Sequence, residues 1–175
     1  MRLKGRKSFI TGAAKGIGLS VARAFAAEGA AVALADISEE ESKKQSLEIK
    51  ETYGVDAIGV KCDVGDTISV QNAIKETSEA FNGLDTIACM AATLTERLDV
   101  VDLPEDEWNR TLNVNLTGSF LVCKHGIPFL REAGGGSIIL TASQMGQVAW
   151  PGSTAYCTTK GGILQLVKGI ACLLY

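Results

Sequence analysis

Thr11-Gly12-Ala13-Ala14-Lys15-Gly16-Ile17-Gly18 follows the short apolar run Ser8-Phe9-Ile10 and opens directly into a stretch of helical apolar periodicity. The run reads as a buried strand, and the glycines at its end read as the turn into a helix. Gly12 permits the tight turn. Gly16 lets backbone N–H groups approach a pyrophosphate, and Gly18 lets helix and sheet pack closely. A purely structural turn can show the same glycines, so the neighbouring segments decide.

Those segments repeat the first one's rhythm. Strands are predicted over Lys7–Thr11, Ala31–Asp36, Ala57–Cys62, Thr86–Met90 and Ser137–Thr141, each short and apolar as buried parallel strands are. Helices are predicted near Gly16–Glu28, Ser38–Tyr53, Thr67–Phe81, Pro104–Ala133 and Ser153–Leu174. Glu39, Glu40 and Glu41 suit a helix N-terminus, Gly29, Gly54 and Gly83 suit helix ends, and Pro104 suits a first turn. No linker or repeat interrupts the alternation. It predicts one α/β domain over residues 1–175, a doubly wound parallel sheet with helices on both faces (a Rossmann fold), with ligands at the carboxyl ends of its strands.

Composition narrows the function classes. The 175 residues carry 17 Lys plus Arg against 20 Asp plus Glu, a net charge of -3, without the basic excess that wrapping nucleic acid requires. No run approaches the ~18 apolar residues of a membrane span, and the apolar stretch after the basic start is too short for a signal peptide. Cys62, Cys89, Cys123, Cys157 and Cys172 are widely spaced and odd in number, and His125 is the single histidine. That composition predicts no metal site and a reducing, cytoplasmic compartment.

Asp36 ends the second strand at close to the ~20 residues past the glycines where a carboxylate meets an adenosine ribose. Such a carboxylate repels a 2′-phosphate and so favours NAD over NADP, while Lys15 pulls weakly the other way. A solvated helix cap is the bland alternative for Asp36. Asp63, after the third strand, either reaches an adenine amino group or caps a turn. The absence of G-x4-G-K-[ST] excludes a P-loop, whereas a methyltransferase binding S-adenosylmethionine would also present glycines and an acid to an adenosine.

The second half separates these readings. Tyr156 and Lys160 are four residues apart and share a helical face. A tyrosine ordinarily titrates near pH 10 and is a poor base, but a neighbouring ammonium favours its phenolate. Ser143, just beyond the fifth strand, could donate to a carbonyl oxygen that gains charge. A surface pair and an ordinary loop serine are the alternatives. Asn113 and Asn115 lie inside a predicted long helix although asparagine is a poor helix former.

Taken together, Thr11-Gly12, Gly16 and Gly18, Asp63-Val64, Leu84-Asp85, Asn115, Ser143 and Tyr156 with Lys160 resemble, in order and spacing, the classical short-chain dehydrogenase/reductase family. The resemblance covers essentially the whole chain. It implies hydride transfer between a nicotinamide cofactor and a secondary alcohol or ketone, a small-molecule substrate. Tyr156 would be the acid/base, Ser143 would orient the carbonyl, Lys160 would bind the nicotinamide ribose, and Asn115 would hold a water of the proton relay. Gly12, Lys15, Gly16, Ile17, Gly18, Asp36, Asp63, Val64, Ala91, Tyr156 and Lys160 would contact the cofactor, NAD rather than NADP. A homo-oligomer through the two long helices is also implied.

Two departures stand out. Cys89-Met90-Ala91-Ala92 replaces the family's Asn-Asn-Ala-Gly turn. The chain also stops before the family's last strands, which leaves the fifth strand at an edge and the last helix apolar on nearly every side. A remnant that binds NAD without turnover is the alternative expectation.

Overall fold

The computed structural model describes residues 1–172. The chain runs β1 (Lys7–Thr11), α1 (Gly16–Ala27), β2 (Ala31–Asp36), α2 (Glu39–Tyr53), β3 (Ala57–Lys61), α3 (Thr67–Phe81), β4 (Thr86–Cys89), α4 (Glu105–Leu112), α5 (Gly118–Glu132), β5 (Ser137–Leu140) and α6 (Thr154–Ala171). The five strands form one parallel sheet in the order β3-β2-β1-β4-β5. Chain order moves outward through β2 and β3 on one side of β1 and through β4 and β5 on the other. The reversal lies between β1 and β4, and a crevice opens there at the carboxyl ends of the strands.

Alternation along the strands builds two cores. Phe9, Ala33, Val60 and Ile87 face α3 and α5 together with Ile74 and Val122, while Ile10, Val32 and Leu34 face α1 and α2 together with Ala22 and Ile49. The helix boundaries have local causes. The Asp66 side chain accepts from the Ser69 N–H at 2.6 Å and starts α3, and Gly54 closes α2 at φ +67°, where a side chain would be strained.

Several predicted boundaries need correction. The helix expected over Pro104–Ala133 is broken by a π-helical turn, Asn113–Thr117, between α4 and α5. Val114 and Thr117 are β-branched and the two asparagines compete for backbone groups, so the α-helical register is weak there. Pro104 is the residue that caps α4 with extended backbone, not its first turn. The last helix is Thr154–Ala171 rather than Ser153–Leu174; Leu173 and Leu174, counted as part of its apolar surface, lie outside the described residues. In the described part Ile163 is buried and Val167 is exposed. The strands expected to reach Cys62, Met90 and Thr141 each end one residue earlier.

Candidate active site

The turn after β1 is packed too tightly for side chains at two of its glycines. A Cβ on Gly12, which has φ +64°, would sit 2.7 Å from the Ala91 Cα. A Cβ on Gly18 would run into the Gly12 carbonyl oxygen. The close approach holds the first turn of α1 against the strand end, and Lys15, Gly16 and Ile17 are exposed above it. A buried Thr11 adds a brace absent from the sequence reading. Its Oγ1 accepts from the Met90 N–H at 3.0 Å and the Ala91 N–H at 3.1 Å, tying the β1 and β4 turns together. Met90 Sδ in turn accepts from the Thr141 hydroxyl at 2.9 Å, so the Cys89–Ala92 turn is braced without the amides of the family pattern.

Asp36 lies beside that turn. Its Oδ2 accepts from the Ala14 N–H at 3.1 Å and its Oδ1 from the Ser38 N–H at 3.0 Å. Ser38, not Asp36, occupies the cap position of α2. Asp63 accepts from the Gly65 N–H at 2.9 Å, the turn-capping arrangement, and its own N–H donates to Ser69 Oγ at 2.9 Å. Val64, next in the loop, packs where a side chain on Gly118 would collide with it.

Across the crevice, β5 and α6 gather the other candidates. Lys160 is 3% exposed, its Nζ donates to the Thr141 carbonyl at 2.6 Å and stands 5.6 Å from the centre of the Tyr156 ring. Burial pulls its pKa below the ordinary lysine range. Tyr156 is half-buried. Ser143 begins a single 3-10 turn, Gln144–Gly146, and its Oγ accepts from the Met145 N–H at 3.1 Å. That turn is seated on α6, since a Cβ on Gly146 would lie 2.6 Å from the Lys160 carbonyl oxygen. Tyr156, Lys160 and Ser143 are therefore brought to one junction.

Asn115 is 1% exposed in the π-helical turn. Its Oδ1 accepts from the Thr93 N–H at 2.8 Å, and its Nδ2 donates to the Thr93 carbonyl at 3.0 Å and to Thr159 Oγ1 at 3.4 Å. Thr159 donates to the Tyr156 carbonyl at 2.8 Å. The carboxamide thus links the loop after β4 to the helix that carries Tyr156. Neither Thr93 nor Thr159 stood out in sequence, because a threonine beside a motif looks like any other.

Burial pushes the Cys62 thiol up to about 12, and a hydrogen bond to Cys123 together with burial pushes Cys89 up as well. Among the described residues, no three His, Cys, Asp or Glu side chains assemble as metal ligands, and no helix is long and apolar enough to cross a membrane.

A family model described as enoyl-(acyl carrier protein) reductase matches residues 12–175. A short-chain type dehydrogenase/reductase of Sinorhizobium fredii is 35% identical over 98% of this chain and 69% of its own length. The chain belongs to the short-chain dehydrogenase/reductase family. Within that family it is 35% identical to the D-threitol dehydrogenase of Mycolicibacterium smegmatis, over 97% of this chain and 65% of that protein. It is 38% identical to the 2,5-dichloro-2,5-cyclohexadiene-1,4-diol dehydrogenase of Sphingobium indicum, over 97% and 67% respectively. The crystal structure of an NAD+-bound xylitol dehydrogenase superposes with a TM-score of 0.95 at 32% identity, covering 99% of this chain and 66% of that one. This family member thus spans about two thirds of the length of the relatives it matches. The expected doubly wound sheet is the fold it shares with them.

Proposed function

We propose that residues 1–175 form one nucleotide-binding unit that transfers hydride between a nicotinamide dinucleotide and the carbinol carbon of a secondary alcohol. The observation that carries this reading is the buried Lys160 ammonium set beside the half-buried Tyr156 phenol, just beyond the end of β5. The glycine cradle fits a pyrophosphate, because exposed backbone at Lys15, Gly16 and Ile17 faces outward at the N-terminus of α1 and no side chain fills it. Asp36, at the end of β2, favours a ribose with a free 2′-hydroxyl and hence NAD. Asp63, Val64 and Ala91 would flank the adenosine side.

A bound nicotinamide supplies the hydride acceptor or donor. Tyr156 takes the alcohol proton at its phenolic oxygen, or returns it to a nascent alkoxide. Lys160, whose Nζ stands 5.6 Å from the centre of the Tyr156 ring, would hold the nicotinamide ribose beside it. Ser143 keeps a free O–H donor for the substrate oxygen while its oxygen accepts from Met145. Asn115 braces the Tyr156 helix and would steady a water between Lys160 and solvent. Trp150, Val148 and Met145 give the substrate side an apolar wall, with Val148 and Trp150 exposed.

The names of the relatives make polyols the first substrates to try. Fluorescence titration with NADH and NADPH, followed by absorbance at 340 nm with NAD+ and D-threitol or xylitol, tests the reading. Saturable NADH binding, weaker NADPH binding and alcohol-dependent absorbance gain are expected. Binding without turnover would leave a nucleotide-binding remnant, and competition by S-adenosylhomocysteine would point to a methyltransferase. A cytoplasmic homo-oligomer belongs to the same proposal. Exposed Phe120 on α5 and Val167 on α6 offer apolar contacts to a second copy, and light scattering at micromolar concentration should give at least a dimer mass.

A further inference from the structure

The connection between β4 and α4 is tied down at both ends, and its outer tie has no part in the chemistry described above. At the inner end Thr93 is held by Asn115 through two hydrogen bonds, and the Arg110 guanidinium reaches both Thr93 Oγ1 and the Leu94 carbonyl. At the outer end the Arg97 guanidinium stacks over the Trp150 ring, 5.4 Å from its centre. The Leu98 N–H donates to the Gly152 carbonyl at 3.2 Å. Gly152, at φ +73°, would be strained with a side chain, and a Cβ there would lie a tight 3.2 Å from the Arg97 backbone carbon and the Leu98 nitrogen. Two contacts, the ring contact and the backbone bond, therefore strap Arg97 and Leu98 to the segment that runs from the Ser143 turn into the Tyr156 helix.

Arg97 is exposed, and although Glu96 and Asp99 flank it, it stands in no ion pair among the described residues. A cation held on an indole face is worth ~0.5–1 kcal/mol at such a site, and the backbone bond beside it fixes the register of the two loops. Ser153 closes the short turn from Trp150, its N–H donating to the Trp150 carbonyl at 3.2 Å, and the Cys157 N–H donates to the Ser153 carbonyl at 2.9 Å. These two backbone bonds connect Trp150 to the start of α6.

We propose that Arg97 is a positioning residue for the substrate side of the site, holding residues 147–153 in place through Trp150 and Gly152. The role rests on the hydride-transfer reading above. Because Asn115 and Thr159 brace the Tyr156 helix independently, losing the strap loosens the substrate wall more than it displaces the phenol. The effect falls on KM before kcat.

The test compares the full chain with Arg97→Ala and Arg97→Lys, each also in a Trp108→Phe background so that Trp150 is the only indole. Arg97→Ala is expected to raise acrylamide quenching of Trp150 about twofold, with Arg97→Lys close to the parent. Amide exchange in residues 147–157 is expected to quicken about tenfold in Arg97→Ala. With NAD+ and xylitol as probe, KM should rise about fivefold while kcat changes less than about twofold and the NADH Kd stays put. Unchanged quenching and exchange in a folded Arg97→Ala protein would overturn the strap. Faster exchange with an unchanged KM for xylitol would overturn the positioning role. A parent chain that binds neither NADH nor NADPH and oxidises no secondary alcohol, yet shows the quenching and exchange changes and their restoration by lysine, would sink the hydride-transfer reading and the positioning role with it, and leave only the strap standing.

Discussion

β1 and β2 are buried along nearly their whole length, whereas β5, which among the described residues pairs with β4 alone, alternates exposed and half-buried residues. The turns at their ends differ in the same way. After β1 the turn is packed, with Gly12 and Gly18 too close to neighbouring backbone to carry a side chain, Ala13 and Ala14 buried, and Asp36 accepting from the Ala14 N–H. After β5 the segment 147–151 is exposed, with the Arg97 guanidinium lying over the Trp150 ring. Under the proposed hydride transfer the rigid turn would meet a nucleotide's phosphates, which are the same for every enzyme that binds them. The exposed segment would meet an alcohol, and its side chains can be exchanged one at a time.

The strongest way to break this contrast acts on the β5 side. Tyr156→Phe should lower kcat by about 10³-fold while NADH still binds with its parent Kd, because only the proton acceptor is lost. Stopped turnover together with lost NADH binding would show that the two sides are not separable. On the β1 side the corresponding change is Gly18→Ala. A Cβ there meets the Gly12 carbonyl, so a loss of about 3 kcal/mol in unfolding free energy is expected from overpacking against backbone, read by urea denaturation.

Asp36→Ala probes a side chain that holds the turn through the Ala14 N–H and that the proposal also sets against the ribose. It should weaken NADH about tenfold, or ~1.4 kcal/mol, and NADPH less, with the two Kd values measured by titration. A smaller effect comes from the buried Lys160. Its folded pKa lies below the unfolded one, so the unfolded state binds more protons. Stability therefore rises as pH climbs through the window between the folded value and ~10.4, the unfolded one. Lys160→Met should flatten that rise, as thermal melts between neutral and alkaline pH would record.

The order of elements, the glycine turn and the group Ser143, Tyr156 and Lys160 were legible in sequence because each depends on residues near one another in the chain. Apolar runs of strand length, glycines where a turn needs them, and a phenol one helical turn from an ammonium carry their physics locally. The break at Asn113–Thr117 was half legible. The asparagines signalled a weak helix, but the π-helical turn follows from Asn115 reaching Thr93, a contact made only when β4 and α5 lie side by side.

What the chain determined by itself is a parallel sheet with a glycine turn after its first strand and a Tyr–Lys pair in its last helix. Tertiary structure alone decided how those pieces meet. Thr11 joining two turns, Thr159 and Asn115 bracing the Tyr156 helix, Met90 accepting from Thr141 and Arg97 lying on Trp150 all pair residues from separate elements. Hydrogen bonds and ring contacts act over a few ångströms, and only the folded sheet brings such residues that close.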